Sequence, residues 1–451
     1  MLFAGMEYLQ TRLMFGMVPG LNSTRMICEA LGNPERKFRT IHVVGTNGKG
    51  STSFYLAGVL QAHGLKAGLY TSPHLVSLRE RIRVDDEPIS DADLDRLLLR
   101  VKEAAESVSS SQVALGKPAL EPTFFEVLTV AAFLYYAEKG VDVAVLEAGM
   151  GGRLDSTAVA GGEMAVVTSI GLEHTEVLGA TESAILREKM GVLGVPDETS
   201  GVVGDAAGDG ACKTFVLGGL GPDLLGAARE YAAHLGASVV VPEVRGDVKL
   251  PNLGRHYVEN ASLSLKAAEL FLNAPGRAGK RYDDVLSVKT LTNRSWAGRM
   301  QTLAGPDGTV KVILDGAHNS HAVRRLVQAL DEYYPGQKFR CLFGALKDKD
   351  LHEMLRLMMP YVSEWLVTKT SYPRFRELDD LRSEIEGLGG CVASAEPLSL
   401  DYVQSALKAS EGPILITGSL YMVGAVVQFL KDDYDGLRFF RGMVPSVNER
   451  H

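Results

Sequence analysis

An apolar run, Ile41–Val44, opens directly into Gly45-Thr-Asn-Gly-Lys49-Gly-Ser51-Thr52, and a helix-like segment, Phe54–Leu60, follows. Strand, glycine turn, lysine, hydroxyls and helix in that order build a triphosphate cradle. The glycines let backbone N–H groups turn toward phosphate oxygens, and the helix N-terminus adds its partial positive charge. Lys49 reaches the outer phosphates, and a hydroxyl from Ser51 or Thr52 suits Mg²⁺. A turn that binds nothing would meet the glycine spacing alone; the strand before it and the hydroxyls after it favour the cradle. Gly50 is an insertion, since the usual spelling puts the hydroxyl directly after the lysine.

Strand and helix patterns alternate along the whole chain, which implies parallel sheets covered on both faces. The expected strands are Ile41–Val44, Ala67–Thr71, Val141–Leu146 and Ala165–Ser169, then Val310–Leu314, Arg340–Phe343, Trp365–Thr368 and Ile414–Thr417. Val323, Leu326, Val327 and Leu330 recur at helical spacing. The run Phe124–Tyr136 is too short to span a bilayer and contains Glu126, so it reads as a buried helix. Between Gly201 and Ala228, Gly, Ala and Asp dominate, which reads as loose loop. The 451 residues exceed one ordinary core, and a boundary near Trp296 divides them into 1–296 and 297–451.

Composition narrows the partners. A net charge of −8 disfavours nucleic acid or an anionic membrane as the main partner. Cys28, Cys212, Cys341 and Cys391 are scattered without paired spacing, which fits a reducing cytoplasm and supplies neither a zinc site nor a disulfide framework. The first residues lack a basic segment ahead of an apolar core, so no secretory signal is expected.

Polar groups recur where strands end, which is where open α/β sheets hold ligands. Glu147 terminates one strand and leads into Gly149, Gly151, Gly152 and Asp155; a carboxylate there is placed to hold Mg²⁺ directly or through water. Ser72 and His174 follow two other strands. Asp315, His318 and Asn319 follow a strand of the second series, and Gly418-Ser419 another, which points to a cleft between two domains. Ordinary turns and helix caps would use the same residue types.

Taken together these segments resemble the folylpolyglutamate synthase and dihydrofolate synthase family, a branch of the Mur ligases. The resemblance is carried by Gly45–Ser51, Thr71-Ser-Pro-His-Leu75 with Glu80-Arg-Ile-Arg83, Thr123–Glu126, Glu147–Asp155, Gly171-Leu-Glu-His-Thr175, Arg187-Glu-Lys189, Gly254-Arg-His256 with Glu259-Asn-Ala261, Gly298-Arg299, Leu314–Asn319 and Ile416–Leu420. It implies an α/β, Mur-ligase-like fold: an N-terminal phosphate-loop ATPase domain with a parallel sheet, then a smaller C-terminal Rossmann-like domain. It implies an ATP- and Mg²⁺-dependent ligase, in a cytoplasmic monomer, that joins L-glutamate to dihydropteroate, to reduced folates, or to both through an acyl phosphate. A second Mg²⁺ or a K⁺ belongs to the same expectation.

Residue by residue, the resemblance assigns Asn47, Gly48, Lys49, Gly50, Ser51, Thr52, Asn260, Arg299 and Asp315 to ATP. Ser51, Ser72, Glu147, His174 and Lys189 fall to metal, with Lys189 as a possible site of a CO₂-derived carbamate. Lys49, Lys189 and His318 fall to catalysis, and Thr123, Phe124, Phe125, Glu126, Leu154, Asp155 and Ser156 to the pteroate pocket, where the aromatic pair can stack on the substrate ring. Four departures stand out: Glu173 in place of the Asp before His174, Tyr257 in place of a Gln, no Glu-Arg after Gly20-Leu21, and Met190–Asp197 in place of Ala-Gly-Ile and a short strand. The alternatives are folate polyglutamylation alone, a Mur-type ligase for a UDP-linked precursor or another amino acid, and a nucleotide-binding switch that has lost its chemistry.

Overall fold

The computed structural model describes residues 4–15, 20–194, 213–275, 280–304 and 309–433. Among them, β1 (Arg39–Val44), β2 (Ala67–Tyr70), β3 (Ile82–Val84), β4 (Glu87–Pro88), β5 (Val143–Glu147), β6 (Met164–Val167), β7 (Thr214–Leu217) and β8 (Ser238–Val240) form one sheet. Its order is β4-β3-β2-β5-β1-β6-β7-β8. Pairing is parallel from β2 to β8 and antiparallel only at the β2–β3 and β3–β4 edge. β2, β5 and β6 are buried at every position, as is β1 after Arg39. That continuous burial is why these strands read as unbroken apolar runs rather than alternating ones.

The helix Lys49–Ala62 is buried without a break from Ser51 to Leu60. The helix Phe124–Lys139 is likewise buried from Glu126 to Tyr136, the core helix that its apolar run predicts. It stops at Gly140, φ 63°, the left-handed conformation that glycine adopts without a Cβ penalty.

The second sheet contains β9 (Gln301–Ala304), β10 (Val310–Leu314), β11 (Phe339–Phe343), β12 (Val362–Lys369), β13 (Val392–Pro397) and β14 (Ile414–Thr417), in the order β13-β12-β11-β14-β10-β9. It is parallel except at the β9–β10 edge. The helix Ser320–Tyr333 buries Val323, Leu326, Val327 and Leu330, as their spacing predicts.

Two compact units divide the chain. One is Met1–His74, Leu78–Val248 and Glu259–Leu291; the other is Leu75–Ser77, Lys249–Val258 and Thr292–His451. The second unit thus takes two short segments that precede Trp296. The expected loop at 201–228 needs correction. Residues 201–212 lie outside the described residues, but the remainder contains β7 and the start of the helix Pro222–His234. Four strand residues between glycines carry too little pattern to stand out, although Pro222 in the first turn is a helix-start signal. In the unusual stretch after Lys189, Gly191–Leu193 is a buried 3₁₀ turn, and 195–197 lie outside the described residues. No helix among the described residues is long and apolar enough to cross a membrane.

Candidate active site

β2, β5, β1 and β6 are neighbours in the first sheet, so the segments leaving their carboxyl ends gather along one edge. Ser72 follows β2, Glu147 closes β5, the glycine loop follows β1, and Thr168–His174 follows β6. Glu147 is buried, and its Oε2 accepts a hydrogen bond from the Ser72 backbone N–H at 2.9 Å. The loop is moored to the β6 end: Thr46 N donates to the Ser169 carbonyl at 2.8 Å, and Thr168 Oγ1 donates to the Asn47 carbonyl at 2.6 Å. Gly48 turns the chain into the helix with φ 87°, and a Cβ there would sit 2.6 Å from Asn260 Oδ1. Glycine is therefore required at Gly48 for conformation and for space.

Lys49 is not extended into solvent. Its Nζ donates to the carbonyls of Gly45 at 2.8 Å and Thr46 at 3.2 Å. Lys189, 1% exposed, comes from the helix Glu182–Met190 to the same Gly45 carbonyl at 2.9 Å and pairs with Glu173 Oε1 at 2.6 Å. Burial, reinforced by the charge of Lys49 and opposed by Glu173, brings the Lys189 ammonium down to about 8. Burial alone would raise Glu173, but Lys49 and Lys189 outweigh it and hold its carboxyl below the usual range. The departure at Glu173 thus acquires a structural partner.

His174 is exposed and left-handed, φ 45°, a conformation that costs a non-glycine residue about 1–3 kcal/mol and concentrates at functional sites. Among the described residues no three His, Cys, Asp or Glu side chains gather as a metal site. The expected set draws only Glu147 and His174 from those types; its other members are the hydroxyls of Ser51 and Ser72, and Lys189. The Thr52 hydroxyl, next to Ser51, is buried without a hydrogen-bond partner among the described residues. A carboxylate and hydroxyl oxygens are hard donors of the kind that suits Mg²⁺, which keeps several of its waters.

The residues expected on the acceptor side form a framework. Thr123 and Glu126 make a capping box, with Thr123 N donating to Glu126 Oε2 at 2.7 Å and Glu126 N to Thr123 Oγ1 at 3.3 Å. Asp155, buried, accepts from the N–H groups of Gly149, Met150 and Thr157 at 2.8–3.0 Å and from Thr157 Oγ1 at 2.6 Å. Burial raises its carboxyl, against these hydrogen bonds. The polar atoms of Thr123, Glu126 and Asp155 therefore hold backbone in place. Phe124 and Leu154 are half-buried and Ser156 is buried. The Gly149–Asp155 turn is locked onto the Lys189 helix: Arg153 N donates to the Glu188 carbonyl at 2.8 Å, and its guanidinium pairs with the Glu188 carboxylate at 2.9 Å. A Cβ on Gly152 would stand 2.4 Å from the Lys189 carbonyl. Gly152→Ala should therefore cost about 1–3 kcal/mol in a urea titration, since backbone must shift to admit the methyl.

In the second unit, Asp315 follows β10 and is buried. Its Oδ1 accepts from Ala317 N at 2.8 Å, and its Oδ2 from Met300 N at 2.8 Å and from the Tyr257 hydroxyl at 3.4 Å. Burial raises its carboxyl, with the charge of Arg299 opposing. Tyr257, the residue in place of Gln, is thus bonded to Asp315. The Arg299 guanidinium passes over Gly316, where a Cβ would lie 3.3 Å from it. His318 Nδ1 donates to the Gly316 carbonyl at 2.8 Å. Asn252, absent from the sequence reading, donates from Nδ2 to the carbonyls of Trp296 and Arg299 and accepts from Trp296 N, fixing the segment that carries Arg299. A lone Asn between Pro and Leu gave no signal for this role.

The Mur ligase middle domain family matches residues 43–268, and the Mur ligase, glutamate ligase domain family matches residues 298–420. The chain is 31% identical to a dihydrofolate synthase/folylpolyglutamate synthase of Bacillus subtilis, over 94% of this chain and 98% of that one. It is 33% identical to a folylpolyglutamate synthase of Lacticaseibacillus casei, over 90% and 92%. A Mycobacterium tuberculosis folylpolyglutamate synthase complexed with ADP has a TM-score of 0.80 at 27% identity, over 95% and 97% of the two chains. An Escherichia coli FolC in complex with DHPP and ADP has a TM-score of 0.72 at 26%, over 94% and 96%. A doubly covered parallel sheet, a lysine-bearing glycine loop with an inserted Gly50, and similarity along nearly the whole chain lead to one assignment: the chain belongs to the folylpolyglutamate synthase/dihydrofolate synthase family of the Mur ligases.

Proposed function

We propose that the chain is an ATP-dependent ligase that joins the amine of L-glutamate to the carboxylate of dihydropteroate, and of reduced folates, as a bifunctional enzyme. The observation that carries this reading is the shared edge of β2, β5, β1 and β6, where Glu147, two lysines and a helix N-terminus meet within one Mur ligase domain. A carboxylate is a poor acyl donor because its leaving oxygen is basic. Its oxygen attacks the γ-phosphorus, the bond to the β-bridging oxygen breaks, and ADP leaves an acyl phosphate. The glutamate amine then attacks the carbonyl carbon, phosphate departs, and the amine loses a proton.

The protein positions these groups and screens their charge. Helix N–H groups and Lys49 receive the phosphates; Ser51, Ser72, Glu147 and His174 are the residues that would hold Mg²⁺. Bound there, the cation would supply charge neutralisation for phosphoryl transfer. Asn260, Arg299 and Asp315 are the further residues assigned to the nucleotide. Lys189 is the amine we assign to carbamylation: its nitrogen attacks CO₂ and loses a proton, and Glu173 must release Nζ for that step.

The deciding assay supplies ATP, Mg²⁺ and glutamate with dihydropteroate or with tetrahydrofolate. Dihydrofolate formation from the first and glutamate addition to the second are expected. Turnover of tetrahydrofolate alone would reduce the enzyme to polyglutamylation, and turnover of neither would overturn the reading. Glu147→Gln, which keeps shape but removes the anionic oxygen, should raise the Mg²⁺ needed for half-maximal rate by about tenfold or more. Superimposable Mg²⁺ titrations would remove Glu147 from the metal's surroundings.

A further inference from the structure

We infer that Arg81 is the positioning residue for the acceptor's aromatic platform: lying against one face of the Phe124 ring and tethered to His74, it holds that ring for stacking on the pteroyl group. The inference rests on the acceptor class proposed above.

The two phenylalanines that open the helix Phe124–Lys139 have different surroundings. Phe125 is committed to packing. A Cβ on Gly149 would stand 2.8 Å from its Cζ, and its ring meets Tyr70 with centroids 5.8 Å apart. Both rings are half-buried and packed against the core, but it is the Phe124 ring whose centroid lies 5.5 Å from the Arg81 guanidinium carbon. The capping box of Thr123 and Glu126 fixes the first turn, so the direction in which Phe124 leaves the backbone is set before any substrate arrives.

Arg81 is held at two points. Its Nε donates to His74 Nδ1 at 3.0 Å, and its carbonyl accepts from Thr71 N at 3.0 Å. Both partners belong to Thr71-Ser-Pro-His74, the segment that carries Ser72. With 8% exposure the side chain has little room to leave. A planar cation fixed on one face draws π-density from the other, which favours an electron-rich aromatic amine there. The pteroyl group is of that kind. Lysine would not replace this residue, because its ammonium lacks the planar fork that can meet an imidazole nitrogen and lie on a ring together.

The test measures KM for dihydropteroate, tetrahydrofolate and ATP in wild type, Arg81→Met, Arg81→Lys, Phe124→Leu and the double variant Arg81→Met/Phe124→Leu. Thermal unfolding of each variant gives an independent check on folding. Arg81→Met is expected to raise the acceptor KM by about tenfold, with kcat and the ATP KM within about twofold of wild type. Arg81→Lys should behave in the same way, and it serves as the test if the Met variant does not fold. The double variant should be no worse than Phe124→Leu alone, because Arg81 acts through that ring. Unchanged acceptor KM in a folded Arg81 variant, or additive effects in the double variant, would overturn the inference while wild-type turnover still upheld the proposed function. Absence of wild-type turnover with either acceptor would instead overturn the function, and the inference with it.

Discussion

Lys49→Ala should yield a folded protein that no longer ligates. The Lys49 ammonium makes two hydrogen bonds, both to carbonyls of its own loop. Such bonds, at a partly exposed site, are worth about 1 kcal/mol net, so the unfolding midpoint should move little. The glycine loop keeps its other moorings through Thr46, Asn47, Thr168 and Ser169. With nucleotide bound, the loss is a charge-assisted contact to the group being transferred, where a single cation is worth about 10³ or more in turnover. Steady-state ADP release with both co-substrates, alongside the unfolding curve, separates the two effects. A folded variant with near-wild-type turnover would remove the phosphate-loop assignment.

The second large effect is expected at Lys189. Lys189→Ala empties a position that is 1% exposed, breaks the pair with Glu173, and frees one bond to the Gly45 carbonyl. Leaving Glu173 unpaired should cost stability, roughly 1–3 kcal/mol at this half-buried site. Activity should fall by about two powers of ten or more if the residue supplies oxygens at the phosphoryl group. Small carboxylic acids in the buffer should restore part of it, since they return the oxygens without the side chain. The covalent state has its own readout, independent of turnover. The intact mass of bicarbonate-supplied enzyme, or a carbonyl signal from labelled bicarbonate, should report the carbamate; an unmodified amine in fully active protein would end that assignment.

Much of the site was legible because it sits where strands stop. The strands Ile41–Val44, Val310–Leu314 and Ile414–Thr417 could be read from apolar runs, and each hands its next residues to the carboxyl-end edge of its sheet. The short strands toward the margins of the first sheet were not legible. Ile82–Val84, Glu87–Pro88 and Ser238–Val240 have two or three residues each, too few to show a period, and half of their neighbours are polar. The roles of Thr123, Glu126 and Asp155 were half legible. Their positions matched a binding motif, yet their polar atoms are taken up by backbone, which only the fold can show. Least legible were the pairings across long sequence separations: Lys189 with Gly45, Asn252 with Trp296, Tyr257 with Asp315. No local pattern encodes a hydrogen bond between residues that the chain brings together from far apart.

The Gly45 carbonyl carries two lysines at once, and that has a bearing on what the loop will accept. An oxygen with two lone pairs that serves two ammonium groups is saturated, so one carbonyl fastens both groups in place without cancelling their charge. To contact Lys49, an incoming anion must draw its ammonium away from Gly45 and Thr46. The exchange favours ligands that offer several negative oxygens to one lysine, and penalises those that offer a few. Inorganic phosphate or sulfate at ordinary buffer concentrations should therefore compete weakly with ATP, and the loop acts as a threshold rather than a simple attractor.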